Sequence, residues 1–213
     1  MVLTPQEEIW VEVTAISKKL KGTLLSRRPL PVPPVEIHLV QSLPKGDKIG
    51  DIIQSCTELG VSRITPVISE RSVSWPDAGS AARKQERWQA IAESAATQSR
   101  QWRCPPVDAI VRLSDWRLDG DYDVTLVCWE EADLKASLKS LLIACTPQMV
   151  SRFESNQTLR VLIVIGPESG LSENEVAVLK DKGLTPVSLG QTILRVEHAG
   201  FYACAQIRYE MGV

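Results

Sequence analysis

Two loops between Leu159 and Gly200 hold the residues best suited to chemistry in this sequence. The first is the run Gly-Pro-Glu-Ser-Gly at positions 166–170, and the second is Leu-Gly-Gln-Thr-Ile-Leu-Arg at 189–195. Glycine lets a backbone turn sharply and approach a ligand closely, and proline stiffens such a turn. Two such loops at the same ends of neighbouring strands can face each other across a small-molecule site.

Each of these features also has a purely structural explanation. The first loop is neither a Walker loop nor a dinucleotide fingerprint, so it is equally compatible with an ordinary strand-to-helix turn. Arg195 and Glu197 follow the second loop, and a surface ion pair would account for both. His198, taken alone, is more often a structural histidine than a catalytic one.

The surrounding pattern predicts the elements that position these loops. The apolar run 161–165 is typical of a central parallel strand that is buried on both faces. Ser172 and Glu175 predict a capping box at the start of the next helix, and Gly60 and Gly183 predict helix ends. Strands are predicted at 8–13, 22–25, 36–40, 63–68, 107–111, 124–129, 159–165 and 185–189, and helices at 46–59, 82–99, 134–145, from 172 onward and at 197–211.

This alternation of strands and helices predicts an α/β fold with a parallel sheet covered by helices on both faces. Because ligands bind at the carboxyl ends of such strands, the loop Trp129–Asp133 is expected to join the two loops above. Pro66 lies inside a predicted strand, which favours an edge position or a strand end for that residue.

The bulk composition is that of an ordinary globular protein. The 213 residues are 44% apolar and 23% charged, with a net charge of −2, and the pI near 5.8 gives no global positive field for nucleic acid. The five cysteines contain no CxxC pair, so we expect buried free thiols and no metal site. No stretch is long enough to span a membrane and no signal pattern begins the chain, so we expect a cytoplasmic protein without a membrane partner.

The first 30 residues differ from the remainder and read as a fragment of β structure. Two strands are too few for an independent core, so they either pack on the main domain or follow a longer N-terminal module. Pro29–Pro34 is a stiff, proline-rich linker, which predicts a boundary between residues 1–33 and 34–213. The basic residues of this segment could form a solvated loop or a phosphate-contacting surface.

Several short motifs occur in a fixed order along residues 36–213. They are Leu-Pro-Lys-Gly-Asp-Lys at 43–48, Thr-Glu-Leu-Gly-Val at 57–61, Ser-Glu-Arg-Ser-Val at 69–73, Gln-Ser-Arg at 98–100, Gly-Pro-Glu-x-Gly at 166–170, Thr-Pro-Val-Ser-Leu-Gly at 185–190 and Ile-Leu-Arg-x-Glu-x-Ala at 193–199. This ordered set resembles the RsmE family of ribosomal RNA methyltransferases. The set is far more specific than any single motif.

The resemblance implies a SPOUT-type domain, a parallel-sheet methyltransferase domain whose C-terminal segment is threaded into a trefoil knot. Such knots are rare exceptions to the rule that protein chains are unknotted. A partial PUA-like β segment would precede this domain. The family is homodimeric, with the active site close to the subunit interface. The last helix fits this arrangement, because its residues 201–207 are apolar on more than one face.

The resemblance also implies the chemistry, which is methylation of N3 of a uridine in small-subunit ribosomal RNA by S-adenosylmethionine. The partner would be that RNA or the assembled small subunit. Arg195 is expected to hold the uracil oxygens as negative charge develops, and Glu197 or Glu168 to accept the proton, with His198 a weaker candidate. The residues expected to bind the cofactor are Trp129, Glu130, Glu131, Ile165, Gly166, Pro167, Glu168, Gly170, Leu189, Gly190, Ile193, Leu194 and Arg195. Those expected to contact RNA are Lys45, Lys48, Arg71, Arg100, Lys18, Lys19, Arg27 and Arg28.

This sequence departs from the family at three places. The family usually has glycine where this chain has Ser169, which bears on close approach to the cofactor, and threonine where it has His198, which bears on substrate contacts. It also has a complete PUA-like barrel, whereas residues 1–30 match only its final part, so either Met1 is an internal start or the barrel is reduced.

Two alternatives to the methyltransferase remain at this point. The first is a module that keeps the cofactor pocket or the RNA surface without turnover, because its N-terminal RNA-binding domain is incomplete. The second is an unrelated doubly wound enzyme that uses a nucleotide cofactor. The second alternative predicts a glycine-rich phosphate loop after the first strand, and residues 43–47 are not such a loop.

Overall fold

The computed structural model describes residues 2–3, 7–18, 20–72, 78–155 and 157–212. Met1, Lys19 and Val73 therefore lie outside the described residues. The strands are β1 (Val2–Leu3), β2 (Glu7–Ile16), β3 (Leu20–Pro29), β4 (Val35–Ser42), β5 (Arg63–Ile68), β6 (Val111–Arg112), β7 (Val124–Cys128), β8 (Leu159–Ile165) and β9 (Thr185–Val187). The helices are α1 (Ile49–Glu58), α2 (Ala78–Gln98), α3 (Leu138–Glu154), α4 (Glu173–Asp181) and α5 (Val196–Glu210).

Within the described residues, a six-stranded parallel sheet in the order β6-β5-β4-β8-β7-β9 forms the centre of the fold. This arrangement confirms the α/β fold with a parallel sheet. β8 lies between β4 and β7, although both precede it in the chain. The loops that follow β4, β7, β8 and β9 therefore leave the sheet at the same edge, where parallel sheets bind ligands.

Both faces of this sheet are buried, because the strands carry apolar residues at nearly every position. Ile37, Leu39 and Ile163 pack on one face in a core with residues of α1, α2, α3 and α5. Val40 and Leu162 pack on the other face in a second core with residues of α4 and with Trp116. The continuous apolar run of β8 is thus explained by two helical layers rather than by one.

The predicted helix ends are confirmed in their hydrogen bonding. Gly60 has φ +78°, and the N–H groups of residues 60 and 61 return to carbonyl oxygens of α1. Gly183 ends α4 in the same way, with φ +91°. Ser172 accepts from the N–H of Glu175 at 3.1 Å, and the Glu175 carboxylate accepts from the N–H of Ser172 at 2.9 Å, which completes the capping box.

The prediction that Pro66 lies at a sheet edge or a strand end is wrong, because β5 lies between β4 and β6 and Pro66 is in its interior. Ile64 donates its N–H to Pro106 and accepts from the N–H of Asp108, so even-numbered residues of β5 direct their backbone groups toward the β6 side. Strand pairing on that side is interrupted between the bridge made by Ile64 and the start of β6. The missing N–H of Pro66 therefore removes no hydrogen bond from the sheet.

Two other boundaries differ from the sequence pattern. The third helix begins at Leu138 rather than near Leu134, because the segment before it pairs with the end of β9. In that pairing Leu138 donates its N–H to the carbonyl of Ser188, which in turn donates to Ala136. β6 is confined to Val111–Arg112, and the preceding predicted strand residues contribute only the bridge to Ile64.

The N-terminal segment forms the predicted antiparallel pair, β2 with β3, and β1 adds to its edge. The proline-rich segment after it is tied to the start of β8. Thr158 donates its hydroxyl to the carbonyl of Pro33 at 2.8 Å, and Leu159 donates its N–H to that of Pro34 at 2.9 Å. The domain boundary, the PUA-like character of the hairpin and the trefoil knot stay predictions.

Candidate active site

The loops after β7, β8 and β9 line one cleft of about 580 Å³ at the carboxyl edge of the sheet. Its volume is in the range of sites that bind small molecules and cofactors. Of the residues expected to bind the cofactor, all but Glu131 line this cleft. Glu131 is exposed and is not among the lining residues.

The loop after β8 is shaped by its two glycines. The N–H of Gly170 donates to the carbonyl of Pro167 at 3.0 Å, which closes the turn. Gly170 has φ +70°, and a Cβ added there would lie 1.7 Å from Oε1 of Glu130. The loops after β7 and β8 therefore touch at a residue that only glycine occupies without strain.

Ser169 stands where the family usually has glycine, and its environment explains why serine is tolerated. Its hydroxyl donates to the carbonyl of Arg71 at 2.9 Å, and Nη1 of Arg71 donates back to the carbonyl of Ser169 at 3.1 Å. Unlike Gly170, Ser169 does not have a positive φ. The serine therefore fastens the loop after β8 to the loop after β5 without backbone strain.

Charged side chains meet at the mouth of the cleft around Lys48, which precedes α1. Nζ of Lys48 lies 3.3 Å from Oε1 of Glu168 and 3.4 Å from Oε2 of Glu197. The other carboxylate oxygen of Glu197 lies 3.9 Å from Nη1 of Arg195. Both oxygens of Glu168 also accept the backbone N–H of Lys45 at 3.1 Å. Three segments that are distant in the sequence are thus joined by ionic contacts and hydrogen bonds.

These contacts set the protonation of the site. The hydrogen bond to Glu168 is the foremost cause that raises the pKa of Lys48, and Glu197 adds to it. The pKa of Glu197 is lowered, first by a backbone hydrogen bond and then by Lys48. Burial acts to raise the pKa of Glu168, but its own N–H, that of Lys45 and the Lys48 ammonium together lower it.

The two carboxylates are consequently ionised at neutral pH and are weak bases. A proton acceptor works best when its pKa is close to the working pH. Glu168 and Glu197 therefore suit the holding of cations better than the removal of a proton from a substrate.

Two observations show that the cleft can hold a ligand with hydrogen-bonding groups. Nε1 of Trp129 is buried and has no hydrogen-bond partner among the described residues. Gly190 has φ +127°, and a Cβ added there would meet no protein atom within 4 Å. The Ser188 hydroxyl, within 3.2 Å of both the N–H and the carbonyl oxygen of Gly190, fixes this bare backbone. A cofactor bound largely by backbone groups fits this side of the cleft, where the backbone is not covered by a side chain.

The residues expected to contact RNA are distributed over three surfaces. Lys45 and Arg71 lie at the margin of the cleft through their contacts with Glu168 and Ser169, and Lys48 lies inside it. Lys18, Arg27 and Arg28 are exposed on the hairpin, where Arg27 pairs with Glu7.

Arg100 lies on a third surface. It follows α2 with φ +55°, and the side chain of its neighbour Gln101 donates to the carbonyl of Glu58. Since Glu58 ends α1 and Lys48 precedes that helix, Arg100 lies a helix length, about 15 Å, from the cleft mouth.

Several lining residues were not expected from the sequence. Lys48 was assigned to RNA, although three-dimensional contacts make it part of the cleft. Leu134 lines the cleft because the segment before α3 is a loop rather than a helix. Ser188 had a weak signal, as the polar residue of the motif at 185–190 that directly follows β9. Glu197, expected as a proton acceptor, also lines the cleft, and the other lining residues that were not expected to bind the cofactor are Cys128, Ser169, Gln191, Thr192, Val196 and Ala199.

Comparison with known proteins places this site in a family. The model of the RNA methyltransferase domain family matches residues 31–208. Ribosomal RNA small subunit methyltransferase E of Bacillus subtilis is 36% identical over 179 residues, which are 83% of this chain and 67% of that protein. The chain belongs to the ribosomal RNA small subunit methyltransferase E family. The Synechocystis member is 35% identical over 195 residues, which are 89% of this chain but only 57% of that protein.

Two solved structures connect the family to a cofactor. A methyltransferase from Legionella pneumophila, solved with bound S-adenosylmethionine, has a TM-score of 0.78 and 26% identity over 97% of this chain and 81% of that one. Methyltransferase E of Neisseria gonorrhoeae, also bound to S-adenosylmethionine, has a TM-score of 0.77 and 26% identity over 96% and 79% of the two chains. The likeness therefore extends to two solved structures that hold a defined ligand, one of them named as a member of this family.

Proposed function

We propose that this protein transfers a methyl group from S-adenosylmethionine to N3 of a uridine in small-subunit ribosomal RNA. The observation that carries the proposal is the single cleft formed by the loops after β7, β8 and β9 in a chain of this family. When bound, the cofactor supplies an electrophilic methyl group. The protein's task is then to hold the base nitrogen in line with that methyl group, which can remove a large part of the barrier.

In this proposal the cofactor lies between the loop after β8 and the loop after β9. The bare backbone at Gly190 and the unpartnered Nε1 of Trp129 support binding there. Arg195 faces the substrate side in this proposal, because 82% of its side chain is exposed and, among the described residues, Glu197 alone pairs with it. An exposed guanidinium beside a cofactor cleft suits the oxygens of a base that gains negative charge.

The proposed assembly is a homodimer that contacts RNA along the cleft margin. α5 buries Val196, Ala203 and Ile207 against the core but leaves large aromatic residues exposed on its other side. These are Phe201 (40% exposed), Tyr202 (39%) and Tyr209 (82%). Exposed aromatic residues on one helix face favour a protein interface. No helix among the described residues has the length and apolar character needed to cross a membrane. Separately, we propose a cytoplasmic location, because the proposed RNA substrate is in the cytoplasm.

A second candidate is a binding module that keeps the cleft without turnover. The chain spans 67% of the Bacillus protein and 57% of the Synechocystis protein. The observation that favours a module without turnover is that both carboxylates of the cleft mouth, Glu168 and Glu197, have lowered pKa values and are weak bases. Isothermal titration calorimetry with S-adenosylmethionine is expected to give one site per chain, and absence of binding would refute both candidates. Methylation of small subunits that lack the modification then separates them, because the binding module leaves the RNA unchanged.

A further inference from the structure

Lys48 has a position in the cleft that contact with RNA phosphates does not explain. It is the residue that precedes α1, and its ammonium lies between two carboxylates that line the cleft, those of Glu168 and Glu197. Its side chain is 41% exposed, so it still faces the space in which a substrate would lie.

Glu197 holds two cations at once. Its Oε2 lies 3.4 Å from Nζ of Lys48 and its Oε1 lies 3.9 Å from Nη1 of Arg195. Two cations placed side by side repel each other unless an anion lies between them. The carboxylate of Glu197 therefore keeps Lys48 and Arg195 together and directs both toward the same part of the cleft.

A pair of cations suits the chemistry of a uracil ring. N3 lies between two carbonyl groups, so when it loses its proton the negative charge spreads over both carbonyl oxygens. A single cation can stabilise one of these oxygens, whereas two can stabilise both. Fixed charges placed where negative charge develops are usually the largest catalytic contribution of a protein.

We propose that Lys48 and Arg195, bridged by Glu197, bind the two carbonyl oxygens of the target uracil and stabilise its N3 anion. This inference rests on the proposed function. N3 gives its proton to water, its freed lone pair forms the bond to the methyl carbon, and the methyl–sulfur bond breaks with its electron pair left on sulfur. No carboxylate has to act as the base, which agrees with the lowered pKa values of Glu168 and Glu197.

The charges around Lys48 support this role. The hydrogen bond to Glu168 is the foremost cause that keeps its pKa raised, so the ammonium is charged at every working pH. Asp47 is paired with Arg87 of α2 instead of with Lys48. The charged or titratable groups that face this site from the elements around it are Lys45, Glu168, Arg195, Glu197 and His198.

The test compares Lys48→Met with Lys48→Arg in methylation of small-subunit RNA over a range of pH. Lys48→Met is expected to lower kcat by about 10²-fold, as for the loss of one oxyanion-stabilising donor, and to move the rising limb of the pH–rate profile to higher pH. Lys48→Arg should recover most of the rate, because it keeps the charge. Lys180→Met, which removes an exposed lysine from the last turn of α4, is the matched control.

RNA in which 5-fluorouridine replaces uridine separates anion stabilisation from a structural effect. Fluorine makes N3 more acidic, so the deficit of Lys48→Met should become smaller on this RNA. An equal deficit on both RNAs, or an unshifted pH–rate profile, would refute the inference while leaving the proposed function intact. If the unaltered protein methylates neither RNA, the proposed function and the inference both fail.

A second readout does not depend on turnover. Once mass spectrometry has located the methylated uridine, an oligonucleotide with 5-fluorouridine at that position is bound without a methyl donor. Fluorine NMR should show that the bound base ionises at a lower pH on the unaltered protein than on Lys48→Met. Ionisation at the same pH on both proteins would contradict the proposed role of Lys48.

Discussion

Acidification is expected to destabilise the fold through His38, which is buried in β4 between two hydroxyl groups. Its Nδ1 lies 2.6 Å from the hydroxyl of Tyr122, and its Nε2 lies 2.7 Å from that of Thr65. Thr65 also bonds to Asp108, which pairs with Arg63 at 2.8 Å. A carboxylate only accepts, so Thr65 donates to Asp108 and accepts from Nε2. Burial favours the neutral ring, so Nδ1 carries no proton and accepts from Tyr122.

The size of the effect follows from the pKa of this ring. Burial is the foremost cause that lowers the pKa of His38 from 6.5 to about 4, and Arg63 contributes in the same direction. As the pH falls below 6.5 the unfolded chain takes up the proton and the folded protein does not. Stability is therefore complete above pH 6.5 and is lost as the pH falls from 6.5 to 4. The loss is about 2 kcal/mol at pH 5 and about 3 kcal/mol at pH 4.

Urea unfolding followed by circular dichroism at about pH 7, 6 and 5 measures this loss. We compare the unaltered protein with His38→Gln, which keeps a donor and an acceptor but does not titrate. The control is His198→Gln, which removes the exposed histidine. Apart from Asp119 near His38 and Glu197 near His198, the carboxylates have the same surroundings in all three proteins, so most of their contribution cancels. His38→Gln should lose about 2 kcal/mol less than the other two between pH 7 and 5. The same pH dependence in all three would refute the assignment of a buried neutral ring.

Three further substitutions test local features. Ser172→Ala removes the capping box and should lower the free energy of unfolding, measured by urea unfolding, by about 1 kcal/mol. Ser172→Thr keeps the capping hydroxyl and should not lower it. Equal stability of the two variants would show that the cap contributes nothing. Ser169→Gly breaks the contact with Arg71. Because Ser169 has no positive φ and its backbone is unstrained, calorimetry should give an unchanged Kd for S-adenosylmethionine. A much lower Kd would mean that the serine obstructs the cofactor. Gly190→Ala places a Cβ into the cleft at φ +127° and should raise that Kd about tenfold or more; an unchanged Kd would place the cofactor elsewhere.

The sequence predicted the sheet and its helices because both depend on local periodicity. Apolar runs such as 161–165 mark buried strands wherever they pair, and Ser172, Gly60 and Gly183 mark helix ends through hydrogen bonds that span a few residues. The order of strands in the sheet, by contrast, does not depend on local periodicity. The pairing of β8 with β4 joins residues more than 100 positions apart, and periodicity holds no information on such pairing.

For the candidate site, the sequence predicted the loops but not all of the contacts between their residues. Its three loops follow from the rule that parallel strands present their carboxyl ends at one edge. The role of Lys48 could not be predicted, because its partners Glu168 and Glu197 follow it by 120 and more residues. Glu131 was expected in the cleft and Leu134 was not, because the path of a loop is decided by its hydrogen bonds to β9 rather than by its composition.

The most direct test of the proposed activity is methylation of small subunits that lack the modification, with S-adenosylmethionine as the donor and mass spectrometry of the digested RNA as the readout. The unaltered protein is expected to add one methyl group at N3 of a single uridine, and Arg195→Ala to reduce the rate by about 10²-fold. Unmodified RNA in the presence of a protein that binds the cofactor would contradict the proposed activity and favour the binding module. Full activity of Arg195→Ala would contradict the role given to the cleft mouth.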